Sequence, residues 1–169
     1  MLNRTPVDAH QRERRAVSLV DLVITVLVMG ILSAVAAPKF AGALSGYQVE
    51  TAAQQIAADL NYARKHAIQR SADFTVTFTV SPAQYELEGI SSLNSDSQSF
   101  LIVLTDEGYD VTFTSVDIDG EFDVTFNEYG MPFTGSPQTA VVSGQIVVRS
   151  GSDIRTVSID PDTGRAEVL

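Results

Sequence analysis

Few side chains in this sequence have the types and spacing that chemistry requires. There is no cysteine, and there are two histidines, His10 and His66. Disulfides, thiolate metal sites, a cysteine nucleophile and a lipidated cysteine are therefore excluded. His10 lies in a polar, basic N-terminal stretch, and His66 lies between Lys65 and Ala67 in a helical pattern. A lone helical histidine is a surface residue more often than a base or a ligand. No Ser-His-Asp set or histidine zinc site can be built around either one. No catalytic residue, cofactor or metal is expected. Residues 117–123, Asp-Ile-Asp-Gly-Glu-Phe-Asp, are dense in acids, but the glycine comes too early for the calcium-loop pattern. A solvated turn is expected there, with calcium kept as the alternative. Three arginines, Arg149, Arg155 and Arg165, lie in the C-terminal part, close in sequence to Asp153, Asp160 and Asp162, with which they could pair.

That leaves Asp21 as the sharpest candidate. It sits near the start of an apolar run over residues 17–37 that carries no other charge. The run is about the ~20 residues a helix needs to cross a bilayer. An aspartate deep in a membrane costs roughly 2.5–3.5 kcal/mol on insertion scales, so a function and a partner for it must be sought. Ser18 is placed to cap the helix, with Asp21 three residues later at its positive end.

The order of residues around Asp21 carries a resemblance. Ala16 is followed by Val17, then Ser18-Leu19-Val20, then Asp21, then the apolar run ending in Pro38. This resembles the type IV prepilin signature, in which Gly, the cleavage point and Phe-Thr-Leu-Ile-Glu precede a membrane-length helix. Ala16, Val17 and Asp21 stand where the family favours Gly, Phe and Glu. The resemblance implies cleavage between Ala16 and Val17 by a prepilin peptidase, followed by N-methylation of Val17. It also implies a filament in which Asp21 pairs with the Val17 amine of a neighbouring subunit. A carboxylate and an ammonium buried together offset each other's desolvation. Pro38 falls where the family often bends its helix, and it lacks the N–H that a helix interior uses.

The net charge of −10 is unevenly spread. Arg4, Arg12, Arg14 and Arg15 precede the apolar run, and Lys39 alone follows it closely. The positive-inside rule then leaves residues 1–16 in the cytoplasm and exports residues 39–169. A single-pass protein of the inner (cytoplasmic) membrane with a periplasmic domain is expected. The part after residue 16 is more acidic still, so its overall field does not favour nucleic acid as a partner. A rival signal is Ala34-Val35-Ala36, which resembles the end of an ordinary secretory signal peptide. The remainder would then be a secreted binding protein or enzyme. That reading leaves Asp21 unexplained.

The elements that must present these residues follow from periodicity. After Pro38, an amphipathic pattern continues the stem over residues 39–72. Val49, Ala53, Ile56, Leu60, Ala63 and Ala67 recur every three or four residues and form one apolar stripe. Ile56, Leu60, Ala63 and Ala67 are expected to pack on a sheet. From residue 73 the pattern changes to short alternating runs: 74–80, a return around Tyr85 and Leu87, 100–104, 109–115 and 122–126. Residues 128–138, rich in Gly and Pro, read as a loop. Residues 146–149 and 154–159 form a hairpin, a turn follows over residues 160–164, and residues 165–169 pair back. The expected fold is α+β, a long N-terminal helix packed on an antiparallel sandwich over residues 73–169.

Within the helix, Ile56, Leu60, Ala63, Arg64, Ala67 and Ile68 match the pattern of the GspH/FimT group of minor pseudopilins, and Thr163-Gly164-Arg165 fits its last turn. This resemblance implies a structural subunit of a type II secretion pseudopilus rather than an enzyme. The implied partners are other pseudopilins, the prepilin peptidase and the inner-membrane assembly platform. A minor type IV pilus pilin, for adhesion or DNA uptake, is the alternative. Some members of this group bind DNA through C-terminal arginines, a reading for Arg149, Arg155 and Arg165 that the acidic balance opposes.

Overall fold

A computed structural model describes residues 18–89 and 99–169. His10, Ala16, Val17 and most of the 89–98 loop lie outside these. The chain divides into two compact units, residues 1–39 and 40–169. One helix, α1 (Leu19–Arg70), runs through both.

In the first unit the described helical residues are exposed, including Leu19, Leu22, Val23, Ile24, Leu27, Ile31, Leu32 and Val35. The segment is long and apolar enough to cross a membrane and buries nothing inside the protein. Its hydroxyls are satisfied locally: Thr25 donates to the Leu22 carbonyl and Ser33 to the Met29 carbonyl, each at 2.8 Å. Such back-bonding lets small polar residues sit in an apolar solvent.

In the second unit α1 becomes one-sided. Val49, Ala52, Ala53, Ile56, Ala57, Leu60, Ala63 and Ala67 are buried, while Gln54, Ala58, Tyr62 and Lys65 are exposed. The helix ends after Arg70, where Ser71 takes a left-handed φ of 49° and the Ala72 N–H donates to the Ala67 carbonyl at 3.2 Å. This six-to-one bond closes a helix end that glycine usually closes.

The strands are β1 (Phe74–Thr79), β2 (Gln84–Glu88), β3 (Ser99–Val103), β4 (Thr112–Ile118), β5 (Asp123–Phe126), β6 (Pro132–Thr134), β7 (Thr139–Ala140), β8 (Gly144–Ser150), β9 (Asp153–Ile159) and β10 (Ala166–Val168). They form two antiparallel sheets, ordered β3-β2-β1-β5-β6-β7 and β10-β9-β8-β4. One buried cluster joins α1 to both sheets, with Val76, Tyr85, Leu87, Ile102 and Phe126 from the first and Phe113, Ile118, Ile146, Val157 and Ile159 from the second. Phe78 and Phe113 meet edge to face across the sheets at 5.9 Å.

Two strand expectations are corrected. β4 is shifted towards the C-terminus of residues 109–115, because a bulge between Phe113 and Ser115 exposes two successive residues and resets the alternation. Residues 128–138 are not all loop, because β6 pairs Phe126 with Pro132 and Thr125 with Phe133. Proline is tolerated there as the first residue of a strand.

A buried polar contact ties β2 to the helix: Tyr85, 1% exposed, donates its hydroxyl to Asp59 Oδ2 at 2.5 Å. Burial pushes the Asp59 carboxyl above its ordinary 3.8, against the opposing pull of the Tyr85 hydrogen bond. The native state therefore holds this proton more tightly than the unfolded chain. The contribution to stability is fully present below pH 3.8 and is lost as pH rises through the raised native value. Asp59→Asn keeps an acceptor for Tyr85 but does not titrate. Its stability relative to the parent should rise with pH across that window and then level off, as measured by denaturant unfolding at several pH values. A difference independent of pH would show that Asp59 ionises normally in the fold.

Candidate assembly site

The start of α1 is built by Ser18 and Asp21. Ser18 lies just outside the helix, and its Oγ accepts the Val20 N–H at 3.4 Å. Asp21 reaches back and accepts the Ser18 N–H on Oδ2 at 3.3 Å. The Leu22 N–H donates to the Ser18 carbonyl at 3.2 Å. This reciprocal arrangement is a variant of the capping box, with the serine on the N2 rather than the N3 N–H and aspartate in the place usually taken by Glu or Gln. It satisfies two orphan donors and sets a negative charge at the positive helix end. The other carboxylate oxygen, Oδ1, accepts nothing from a described residue and can take a second donor. Ala16 and Val17 lie outside the described residues.

Pro38 lies inside the span of α1. Ile56, Leu60, Ala63 and Ala67 are all at most 1% exposed, within the cluster shared with the strands.

The residues of the helical pattern meet the last turn around one backbone group. Arg64 Nε donates to the Gly130 carbonyl at 3.2 Å. A Cβ built on Gly164 would lie 2.2 Å from that same oxygen. Arg64, the 127–131 turn and the Thr163-Gly164-Arg165 turn thus close on one another. Asn127 shapes the middle piece, its Oδ1 accepting the Tyr129 and Met131 N–H groups at 3.0 and 2.9 Å. Asn61, a position the sequence did not single out, ties down the short edge strand β10. Its Nδ2 donates to the Ala166 carbonyl at 2.8 Å, and its Oδ1 accepts the Ala166 N–H at 3.2 Å.

The three arginines do not form one patch. Val148 is opposite Arg155, and Arg149 is opposite Ile154, so Arg149 and Arg155 point to opposite faces of the sheet. Arg155 pairs with Glu50 of α1 at 2.6 Å and holds its carboxyl below the usual value. Arg165 pairs with Glu167 at 3.2 Å. The expected partners Asp153, Asp160 and Asp162 are not used. Asp160 instead accepts the Asp162 and Thr163 N–H groups at 2.9 and 3.0 Å, the geometry of an Asx turn.

Two of the four acids of residues 117–123 are engaged with backbone. Asp117 accepts the Gly120 N–H at 2.9 Å. Asp119, at a φ of 53°, accepts the Val142 and Ser143 N–H groups at 2.6 and 3.0 Å. Among the described residues no group of three His, Asp or Glu is arranged to hold a metal ion. His66 packs between Tyr62 and Phe74, with ring centroids 5.8 and 4.3 Å away. Burial, and then Arg70, lower its pKa below 6.5.

A family model described as type II transport protein GspH matches residues 52–163. Two crystal structures of the type IV minor pilin FimU of Pseudomonas aeruginosa (strain PAO1) are similar in fold. One, in space group P21, is 16% identical, with a TM-score of 0.52 over 73% of this chain and 89% of that one. The other, in space group P65, is 17% identical, with a TM-score of 0.51 over 71% and 91%. No curated protein matches the chain.

Proposed function

The chain belongs to the GspH family of type II transport proteins, and from that premise we propose that it is a minor pseudopilin, a structural subunit of a type II secretion pseudopilus. The observation that carries this reading is the charge pattern of α1. An exposed apolar helix holds one acid, Asp21, at its capped start and continues into a domain of pilin-like fold.

In this reading residues 1–16 are the leader and residues 17–38 the membrane and assembly segment. Residues 39–72 continue the stem, and residues 73–169 form the periplasmic domain. The prepilin peptidase cuts between Ala16 and Val17, and Val17 is then methylated. The protein waits in the inner membrane until the assembly platform passes it into the filament among other pseudopilins. There Oδ1 of Asp21 takes the Val17 amine of a neighbour, while Oδ2 keeps its own helix capped. Pro38 gives up one helix hydrogen bond and is the expected bend of the stem. The role is structural rather than enzymatic.

Asp21→Ala tests the reading. Membrane insertion should be unchanged or better, because an insertion cost is removed. Incorporation into filaments should fall by at least about tenfold, because an uncompensated buried charge costs roughly 3–5 kcal/mol. The measurement is recovery of the variant in sheared or affinity-isolated filaments at equal membrane abundance. Normal incorporation would reduce Asp21 to a capping residue. N-terminal sequencing of the mature protein is the companion test, with Val17 as the expected first residue. A start at Ala37 would favour an ordinary secreted protein.

A second reading, a minor pilin of a type IV pilus, is favoured by the likeness to FimU, which is itself a type IV minor pilin. Deleting the chain separates the two. Loss of protein export with pili intact supports the pseudopilus, and the converse supports the pilus.

A further inference from the structure

We infer that a second segment of α1, the stripe of Phe40, Leu44 and Tyr47, is a lipid-binding collar that lies in the outer leaflet of the bilayer before assembly. This rests on the membrane-anchored reading and adds an interaction surface to the folded domain itself.

The three side chains are 74%, 48% and 70% exposed. Spacings of four and three residues stack them on one helix face. The opposite face is occupied by the domain. Val49, Ala52 and Ala53 are fully buried. At Ser45 and Gly46 the β8–β9 turn comes close: a Cβ on Gly151 would lie 3.1 Å from Ser45 Oγ, and one on Gly46 would lie 3.9 Å from the Asp153 carboxylate. The domain thus covers one side of the helix and leaves the Phe40, Leu44 and Tyr47 side bare.

Charge spacing identifies lipid as the occupant. Between Asp21 and Glu50 the sequence has one charged residue, Lys39. Residues 22–49 in helical form are about 42 Å long at ~1.5 Å per residue. That matches the ~40–45 Å of a bilayer with its headgroup regions, whereas residues 22–37 cover only about 24 Å, less than the ~30 Å hydrocarbon core. In contour length the acid-free stretch thus matches a whole membrane, which assigns residues 38–49 to its outer leaflet, with Tyr47 near the headgroups. Tyr47 is ten residues beyond Ala37, so connectivity alone keeps it within about 15 Å of the apolar run in helical form. Aromatic side chains with one polar end are the residues that settle at this depth. Lys39 has a long apolar stem that lets its charge reach the headgroups. The absence of acids in residues 22–49 removes repulsion from anionic lipid.

The chain has no tryptophan, so one can be introduced as a reporter. Full-length Tyr47→Trp is reconstituted in phosphatidylcholine vesicles whose acyl chains are brominated either near the glycerol end or near the methyl end. Val35→Trp reports from the middle of the acid-free stretch. The expected result is a blue-shifted Tyr47→Trp emission that loses most intensity to shallow bromines, with Val35→Trp losing most to deep ones. A water-like, unquenched Tyr47→Trp beside a quenched Val35→Trp would overturn the collar and leave the anchor standing. A blue shift that bromines do not quench, and that grows with the protein-to-lipid ratio, would assign the stripe to a second copy and overturn it equally. If neither reporter is quenched, the anchored reading fails and the collar with it.

Discussion

Leu60→Ala should destabilise the folded domain by roughly 2–5 kcal/mol, the range for truncating a buried leucine. Leu60 is 1% exposed on the inner face of α1. It belongs to the cluster that includes Val76, Leu87 and Phe126 of one sheet and Ile146 and Ile159 of the other. Its surroundings on the helix are small, because Ala52, Ala53, Ala57, Ala63 and Ala67 make up most of the buried face. On the helix few side chains are long enough to swing into the space, so the cavity term should be substantial. The loss is a large part of the stability of a small domain. Denaturant unfolding of a soluble fragment starting near Ser45 reads it directly. Lys65→Ala, on the exposed side of the same helix, should change little. A cost below about 1 kcal/mol for Leu60→Ala would mean that this face packs on neighbouring subunits rather than on its own sheets.

The parts of the fold that could be read from the sequence are those written in local periodicity. Val49, Ala53, Ile56, Leu60, Ala63 and Ala67 keep a helical spacing over five turns and share one buried face. Alternation over residues 74–79 gives β1, and Gly151-Ser152 between two apolar runs gives the β8–β9 hairpin. What escaped was not local. The bulge in β4 breaks the period of two from within. Pro132 conceals β6, because proline is a signal against strands whose exception, the first position, depends on a partner strand. Asp59 with Tyr85, Asn61 with Ala166, and Arg64 with Gly130 join residues far apart in the chain. A polar residue beside an apolar stripe carries no mark of such a partner. The arginines show that closeness in sequence is not closeness on a sheet. They are close in sequence, but strand alternation separates Arg149 from Arg155 and gives the latter to Glu50. Asp21, by contrast, was legible because a charge inside an apolar run stands out with no tertiary information. The capping box around it needs only three residues of separation.

Gly164→Ala should cost roughly 3 kcal/mol or more, from two separable terms. The first is conformational. Gly164 has a φ of +67°, in the left-handed region that costs a non-glycine residue about 1–2 kcal/mol. The second is steric, and here it falls on backbone. The added Cβ would sit 2.2 Å from the Gly130 oxygen and 3.3 Å from its carbonyl carbon. That oxygen is the acceptor for Arg64 Nε. Moving it away to admit a methyl group strains the bond that ties the 127–131 turn to α1. Hydrogen bonds to charged groups contribute about 1.5–3 kcal/mol. Gly120→Ala isolates the first term, since its φ is +90° and nothing lies within 4 Å of the added Cβ. It should cost about 1–2 kcal/mol. Gly130→Ala is intermediate in kind: its φ is +79°, and its nearest contacts are side-chain atoms, Ile68 Cδ1 at 2.8 Å and Arg64 Nε and Cγ at 3.1 and 3.2 Å, rather than backbone. Unfolding of the three variants against the parent domain should therefore rank Gly164→Ala as clearly the worst. Equal costs for Gly164→Ala and Gly120→Ala would show that the two turns are not in contact. In that case the Thr163-Gly164-Arg165 sequence would serve only its own chain reversal. The predicted ranking would make it the point where the last turn, the 127–131 turn and the stem helix are held together.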